Sequence, residues 1–215
     1  MSEFWIYFKL GLNHVLNWNA YDHVLFLIVL VASYTFLEWK RVFWLVTTFT
    51  LGHTVALLLA TFDVVKVNSA YVEFLIPVTI FITALYNLIN AGKTPKEGGM
   101  GILFAVTLFF GIIHGLGFSS FFVGSVGSGT DKLVWLLEFA LGIEAAQAII
   151  VICVLIFALI FQSLFNYSKR DWVLVVASIV IGLVIPMLIK NNIWQKNVLV
   201  FLKTKKENYS YKFTI

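Results

Sequence analysis

Four histidines and several acidic residues fall where charged groups are costly. His14, His23, His53 and His114 all lie within or at the edge of apolar runs, as do Asp22, Glu73 and Glu144. Titratable groups at hydrocarbon depth are kept mainly where they pair, line a water path or bind an ion. Neutral imidazole with carboxylate is the donor set for Ni²⁺, Co²⁺, Zn²⁺ or Fe²⁺, whereas soft Cu(I) favours thiolate and thioether. The chain has a single Cys and three Met, so no copper relay is apparent. The densest stretch is HVLNWNAYDHVLF, residues 14–26. Asp22 and His23 are adjacent, and on a helix their side chains diverge by about 100°, enough to grip one ion from two sides. His14 precedes them across residues 17–21, which read as a turn, with Asn19 placed to cap the following helix. Plainer readings stand beside this one. Asp22 would neutralise a helix N-terminus while the histidines sit in interfacial water. His53 or His114 alone would be hydrogen-bonded to a threonine or a carbonyl. The constellation is more specific than its members, because a bundle has little reason to keep so many such groups at depth without a ligand.

The elements that must position these residues follow from composition. Of 215 residues, 60% are hydrophobic and 12% charged, with a mean hydropathy of +0.93. A soluble domain carries about 25% charged residues. The chain is therefore expected to be an all-α, polytopic membrane helical bundle in contact with the lipid bilayer; no polar-apolar alternation supports a β-barrel. The net charge of +4 comes from Lys-rich loops and tail and does not describe a nucleic-acid surface. Residues 1–3 lack the basic start of a cleavable signal peptide. Residues 4–16 are too short to span and read as an interfacial or re-entrant helix. About six spans follow, near 22–37, 42–62, 71–90, 100–122, 133–165 and 172–189. Residues 1–190 thus form one transmembrane domain, and 191–215 a Lys-rich polar tail.

Within the spans, Glu73, Ile80, Thr83, Asn87 and Asn90 share one helical face, which is expected to look inward. Gly111 and Gly115 form a small-xxx-small pair that lets another helix approach beside His114, bringing that histidine within reach of Glu144 or another polar group. Glu144 and Gln147 share a face of the longest run. The loops near 38–41, 91–99 and 165–171 carry more Lys and Arg than those near 63–72 and 119–132, which would put the former in the cytoplasm. Six spans then leave the Lys-rich tail outside, so the two charge signals conflict. The short loops carry slightly more weight, because the tail lysines lie farther from the last span.

The ordered pieces GLNHVL and YDHVLF, then FTLGHT, VEFLIP, GIIHGLGF and FALGIEAAQ, resemble the HupE/UreJ family of bacterial membrane proteins from about Gly11 to the last span. That family is regarded as nickel or cobalt permeases attached to hydrogenase and urease maturation. The resemblance implies divalent-metal uptake in the inner membrane, and a metal-binding set of His14, Asp22, His23, His53, Glu73, His114, Glu144 and Gln147. The family pattern is H-x5-D-H, whereas residues 15–21 separate His14 from Asp22 here. His14 is therefore expected to be displaced from the site, with less effect when replaced.

Three functions compete. In a permease, the His/Asp/Glu set binds Ni²⁺ or Co²⁺ weakly enough to release it. No G-x-x-x-x-G-K-[ST] motif is present, so transport would be secondary. In a membrane metalloenzyme, three ligands would hold Zn²⁺ with water in an open position. In a non-catalytic subunit, as part of a homo-oligomer or beside partner subunits, the polar groups would only fix helix packing.

Overall fold

The computed structural model describes residues 3–93, 100–126, 131–191 and 193. Most of the expected loop 91–99 and of the Lys-rich tail lies outside them. The described residues form seven α-helices: α1 (Glu3–Val15), α2 (Asp22–Val31), α3 (Trp39–Thr61), α4 (Ser69–Ile89), α5 (Met100–Val126), α6 (Lys132–Ser163) and α7 (Lys169–Lys190). Five of them, α3 to α7, are long and apolar enough to cross a membrane. This is a multi-pass helical membrane protein.

The first expected span departs from expectation. In place of a continuous helix over 22–37 stands α2, only 10 residues long, or about 15 Å. A separate 3-10 turn at Phe36–Glu38 follows. The break has identifiable partners. Thr35 and Glu38 form a reciprocal capping box that starts the new turn. The Asn87 side chain on α4 donates to the Val29 carbonyl and accepts from the Ser33 hydroxyl at 3.3 Å. Backbone freed inside a bilayer is tolerated only where protein groups satisfy it in this way. Seven of the ten α2 residues are buried, the pattern of a helix enclosed all round. It packs against α4, α6 and α7, and the bundle is wrapped about it.

Glycines set the closest approaches. A methyl on Gly11 of α1 would run into the Phe139 carbonyl of α6, and one on Gly142 would lie 3.0 Å from the Leu12 amide. This reciprocal contact fastens the non-crossing α1, whose Phe4, Trp5 and Ile6 stay exposed, to α6. On α5, a methyl at Gly111 would meet the Phe49 carbonyl, and one at Gly115 would come within 2.8 Å of the Ala56 Cβ. Both therefore bring α5 onto α3 as the small-xxx-small spacing requires. Helix α5 also runs on to Val126, four residues past the expected end of its span.

The basic loops gather at one end. Lys169 Nζ lies 3.6 Å from Glu38 Oε2, and Gly92 packs on the Arg170 side chain. Of the α4 face expected to look inward, Ile80 and Asn87 are buried, Thr83 and Asn90 are half-buried, and Glu73 is exposed.

Candidate metal centre

At the end of the bundle opposite the basic loops, a cavity of about 450 Å³ opens between the α1–α2 turn, α4 and α5. Its lining includes Asn13, His14, Asn17, Asp22, His23, Glu73 and His114. The turn that shapes its rim is closed by Asn17, whose side-chain oxygen accepts from the Asn19 amide at 3.0 Å. Asn19 is not the cap of α2. That position belongs to Tyr21, which makes no side-chain cap bond.

The histidines meet at the cavity floor. Ring centroids lie 4.6 Å apart for His14 and His23, 5.5 Å for His14 and His53, and 5.6 Å for His23 and His53. One nitrogen from each of these three falls within 4.8 Å of the others. A tetrahedral ion would hold its nitrogens about 3.4 Å apart, so small side-chain rotations suffice to close the set. Among the described residues this is the one trio of His, Cys, Asp or Glu so placed. His14 is therefore not displaced. The α1–α2 turn accommodates the longer spacing, and its imidazole joins the group.

His114 stands beside the trio, its ring 5.1 Å from that of His23. Its Nδ1 donates to the Phe110 carbonyl at 2.9 Å, which leaves the Nε2 lone pair free. The plainer reading of a carbonyl-bonded histidine thus holds for one nitrogen only. His23 is oriented likewise, with Nδ1 directed at Asp22 Oδ1 across 3.4 Å. Asp22 is thereby placed behind His23, where a carboxylate fixes the ring tautomer and strengthens the donor nitrogen. His23, His53 and His114 are 2%, 0% and 1% exposed. The Nε2 atoms of all four histidines are buried and have no hydrogen-bond partner among the described residues, nor has His53 Nδ1. Leaving a buried polar atom unpaired costs about 1–3 kcal/mol, so the cluster is organised for something that accepts lone pairs.

Below the histidines lies an aromatic floor. Phe26 stacks on Phe49 at 4.8 Å, and both rings lie within 5.2 Å of His114. Phe110 stands edge-on to Phe26 at 5.9 Å. A second, apolar cavity of about 390 Å³ begins on the far side of Phe26 and Phe110.

The remaining candidates are elsewhere. Glu73 lines the mouth of the first cavity but is outside the trio. Glu144 and Gln147 form a separate polar group with Thr47 and Thr50 between α3 and α6. The polar neighbours of His114 are His23 and the Phe110 carbonyl, not Glu144. Thr47 and Thr50 were not among the sequence candidates, because their partners lie on α6 and cannot be read from α3 alone.

No curated protein and no solved structure matches the chain. The family described as HupE / UreJ protein matches it over residues 1–191. That range takes in the α1–α2 turn, all four histidines and every span, and the chain belongs to the HupE/UreJ family.

Proposed function

We propose that the protein carries a divalent transition-metal ion, nickel or cobalt, across the bacterial inner membrane through the histidine cluster. The observation that carries this reading is the convergence of buried, unpartnered imidazole Nε2 atoms at the floor of an open cavity. The ion is the substrate. Asp22 and Glu73 give the cavity negative charge that attracts a hydrated cation. His14, His23 and His53 then replace part of its water shell, with His114 one ring away to take it over. A site made only of neutral nitrogens and water binds borderline divalent ions without the grip of thiolate, as a site that must release its ion requires. With the basic loops in the cytoplasm, the cavity faces outward and the aromatic floor closes the inward side. Family membership supports the reading, since the family is associated with nickel and cobalt transport.

The test is uptake of Ni²⁺ and Co²⁺ into proteoliposomes, beside equilibrium binding to purified protein. The native chain should do both, and His23→Ala and His53→Ala neither, while remaining folded. Uptake unaffected by both substitutions would refute the proposal.

A second reading has one observation in its favour. Three histidines beside an open cavity bearing two carboxylates is also the layout of a hydrolytic zinc site. Stoichiometric Zn²⁺ that survives purification and dialysis, with no metal flux, would favour it.

A further inference from the structure

The polar group between α3 and α6 has no part in the ligand set above. Thr47 Oγ1 donates to Glu144 Oε1 at 2.6 Å. Thr50 Oγ1 is within hydrogen-bond reach of Glu144 Oε2, of Gln147 Oε1 at 2.8 Å, and of its own Val46 carbonyl at 3.3 Å. Gln147 is fully buried, and its Nε2 has no partner among the described residues. The group lies well inside two membrane-crossing helices.

Charge is the first consideration. Glu144 takes part in none of the ion pairs among the described residues. The ionisable groups on the helices packed against α6 are Glu3, Tyr7, Lys9 and His14 on α1, Asp22 and His23 on α2, Lys40, Arg41 and His53 on α3, and Lys169, Arg170, Asp171 and Lys190 at the two ends of α7. None is hydrogen-bonded to Glu144. Between Asp171 and Lys190, α7 carries none. A carboxylate at this depth without a cation needs another means of neutralisation.

Proton counting is the second. A hydroxyl has one proton, yet Thr50 Oγ1 faces acceptor oxygens of both Glu144 and Gln147. A protonated Glu144 resolves this by donating to Thr50, which donates in turn to Gln147. If the Gln147 amide turns over, its N–H donates to Thr50, Thr50 donates to Glu144, and the carboxylate is ionised. The two amide orientations have the same shape. One cage thus fits both protonation states. It fits a metal ion poorly. Two oxygens each about 2.4 Å from a hard cation stand more than about 3 Å apart, whereas these spacings of 2.6 and 2.8 Å are those of hydrogen bonds.

We propose that Glu144, held by Thr47, Thr50 and Gln147, is a reversible proton-binding site in the membrane interior whose proton moves counter to the metal ion. The coupling rests on the transport reading; the proton site does not. Thr50 and His53 are three residues apart on α3 and share a face. A divalent ion arriving at His53 favours ionisation of Glu144. The carboxyl O–H bond then breaks, its electron pair stays on Oε2, and the proton passes to water. When the ion has left, the carboxylate takes a proton back from water.

The test uses the full chain in lipid. Infrared difference spectra recorded through a pH titration should contain a protonated-carboxyl band that shifts in D₂O and is absent from Glu144→Gln. That variant should still bind Ni²⁺ by equilibrium dialysis within about twofold of the native chain. Thr50→Val should keep the band and shift its midpoint by about one pH unit, a tenfold change in proton affinity, which serves if Glu144→Gln does not fold. In proteoliposomes carrying a pH dye, Ni²⁺ uptake by the native chain should drive protons out. A band that persists in Glu144→Gln, or a Thr50→Val midpoint equal to the native one, overturns the proton site. Native uptake without proton movement overturns the coupling. Loss of Ni²⁺ binding by the native chain overturns the transport reading and leaves the band in place.

Discussion

At the scale of single residues, the structure separates the candidate ligands from the groups that aim them. Asp22 sits behind His23, so Asp22→Asn should weaken metal binding by about 10–100-fold, less than His23→Ala does. Isothermal titration with Ni²⁺ on both variants checks this; equal losses would make Asp22 a direct ligand. His14→Ala should now cost as much as His53→Ala, because its ring lies 4.6 Å from His23. Each imidazole must be neutral to bind, and the ordinary imidazole value is about 6.5. Burial and the neighbouring imidazoles hold His14 well below that value, so affinity should persist through the ordinary imidazole range and fall only on stronger acidification. The identity of the histidines was legible in the sequence because imidazole inside apolar runs stands out. The role of Asp22 was not, since adjacency to His23 fits a ligand and an orienting group equally well. Glu144 and Gln147 were legible as a pair on one face. Their assignment away from the histidines depended on Thr47 and Thr50, which only the packing of α3 on α6 brings into contact.

At the scale of elements, α2 and the α3–α5 contact decide where the imidazoles stand. Gly115 lies beside His114 and packs against α3 at the level of His53. Gly115→Ala should lower stability by about 1–3 kcal/mol through overpacking, and should reduce Ni²⁺ affinity because the helices bearing His53 and His114 move apart. Thermal unfolding in detergent and metal titration on the same sample test both effects. Asn87→Leu should also destabilise by about 1–3 kcal/mol, since it leaves the Val29 carbonyl without its donor. The long spans were legible because their apolar runs exceed what a soluble helix needs. The break after Val31 was not. Residues 32–35, Ala-Ser-Tyr-Thr, are more polar than the run before them, but Ser, Tyr and Thr also occur inside the other spans, and the group that permits the break, Asn87, is far away in sequence.

At the scale of the whole molecule, the basic loops occupy one end and the cavity the other. Asn17→Cys should react with a membrane-impermeant maleimide added to one face of the membrane, the outer one if the basic loops are cytoplasmic, and Lys93→Cys only when the reagent reaches the other face. The reverse pattern would invert the topology. Thinning the aromatic floor with Phe26→Ala should raise passive Ni²⁺ leak through proteoliposomes while leaving binding largely intact. The cavity has a further, electrical consequence. Water filling it carries bulk conductivity down to the histidines, so little of the transmembrane voltage falls there. Most of it falls across the insulating layer of Phe26, Phe49 and Phe110 and the apolar space beneath. A divalent ion crossing that layer inward would gain about 4.6 kcal/mol for each 100 mV, negative inside. Capture from outside should thus be nearly indifferent to voltage, and turnover steep in it.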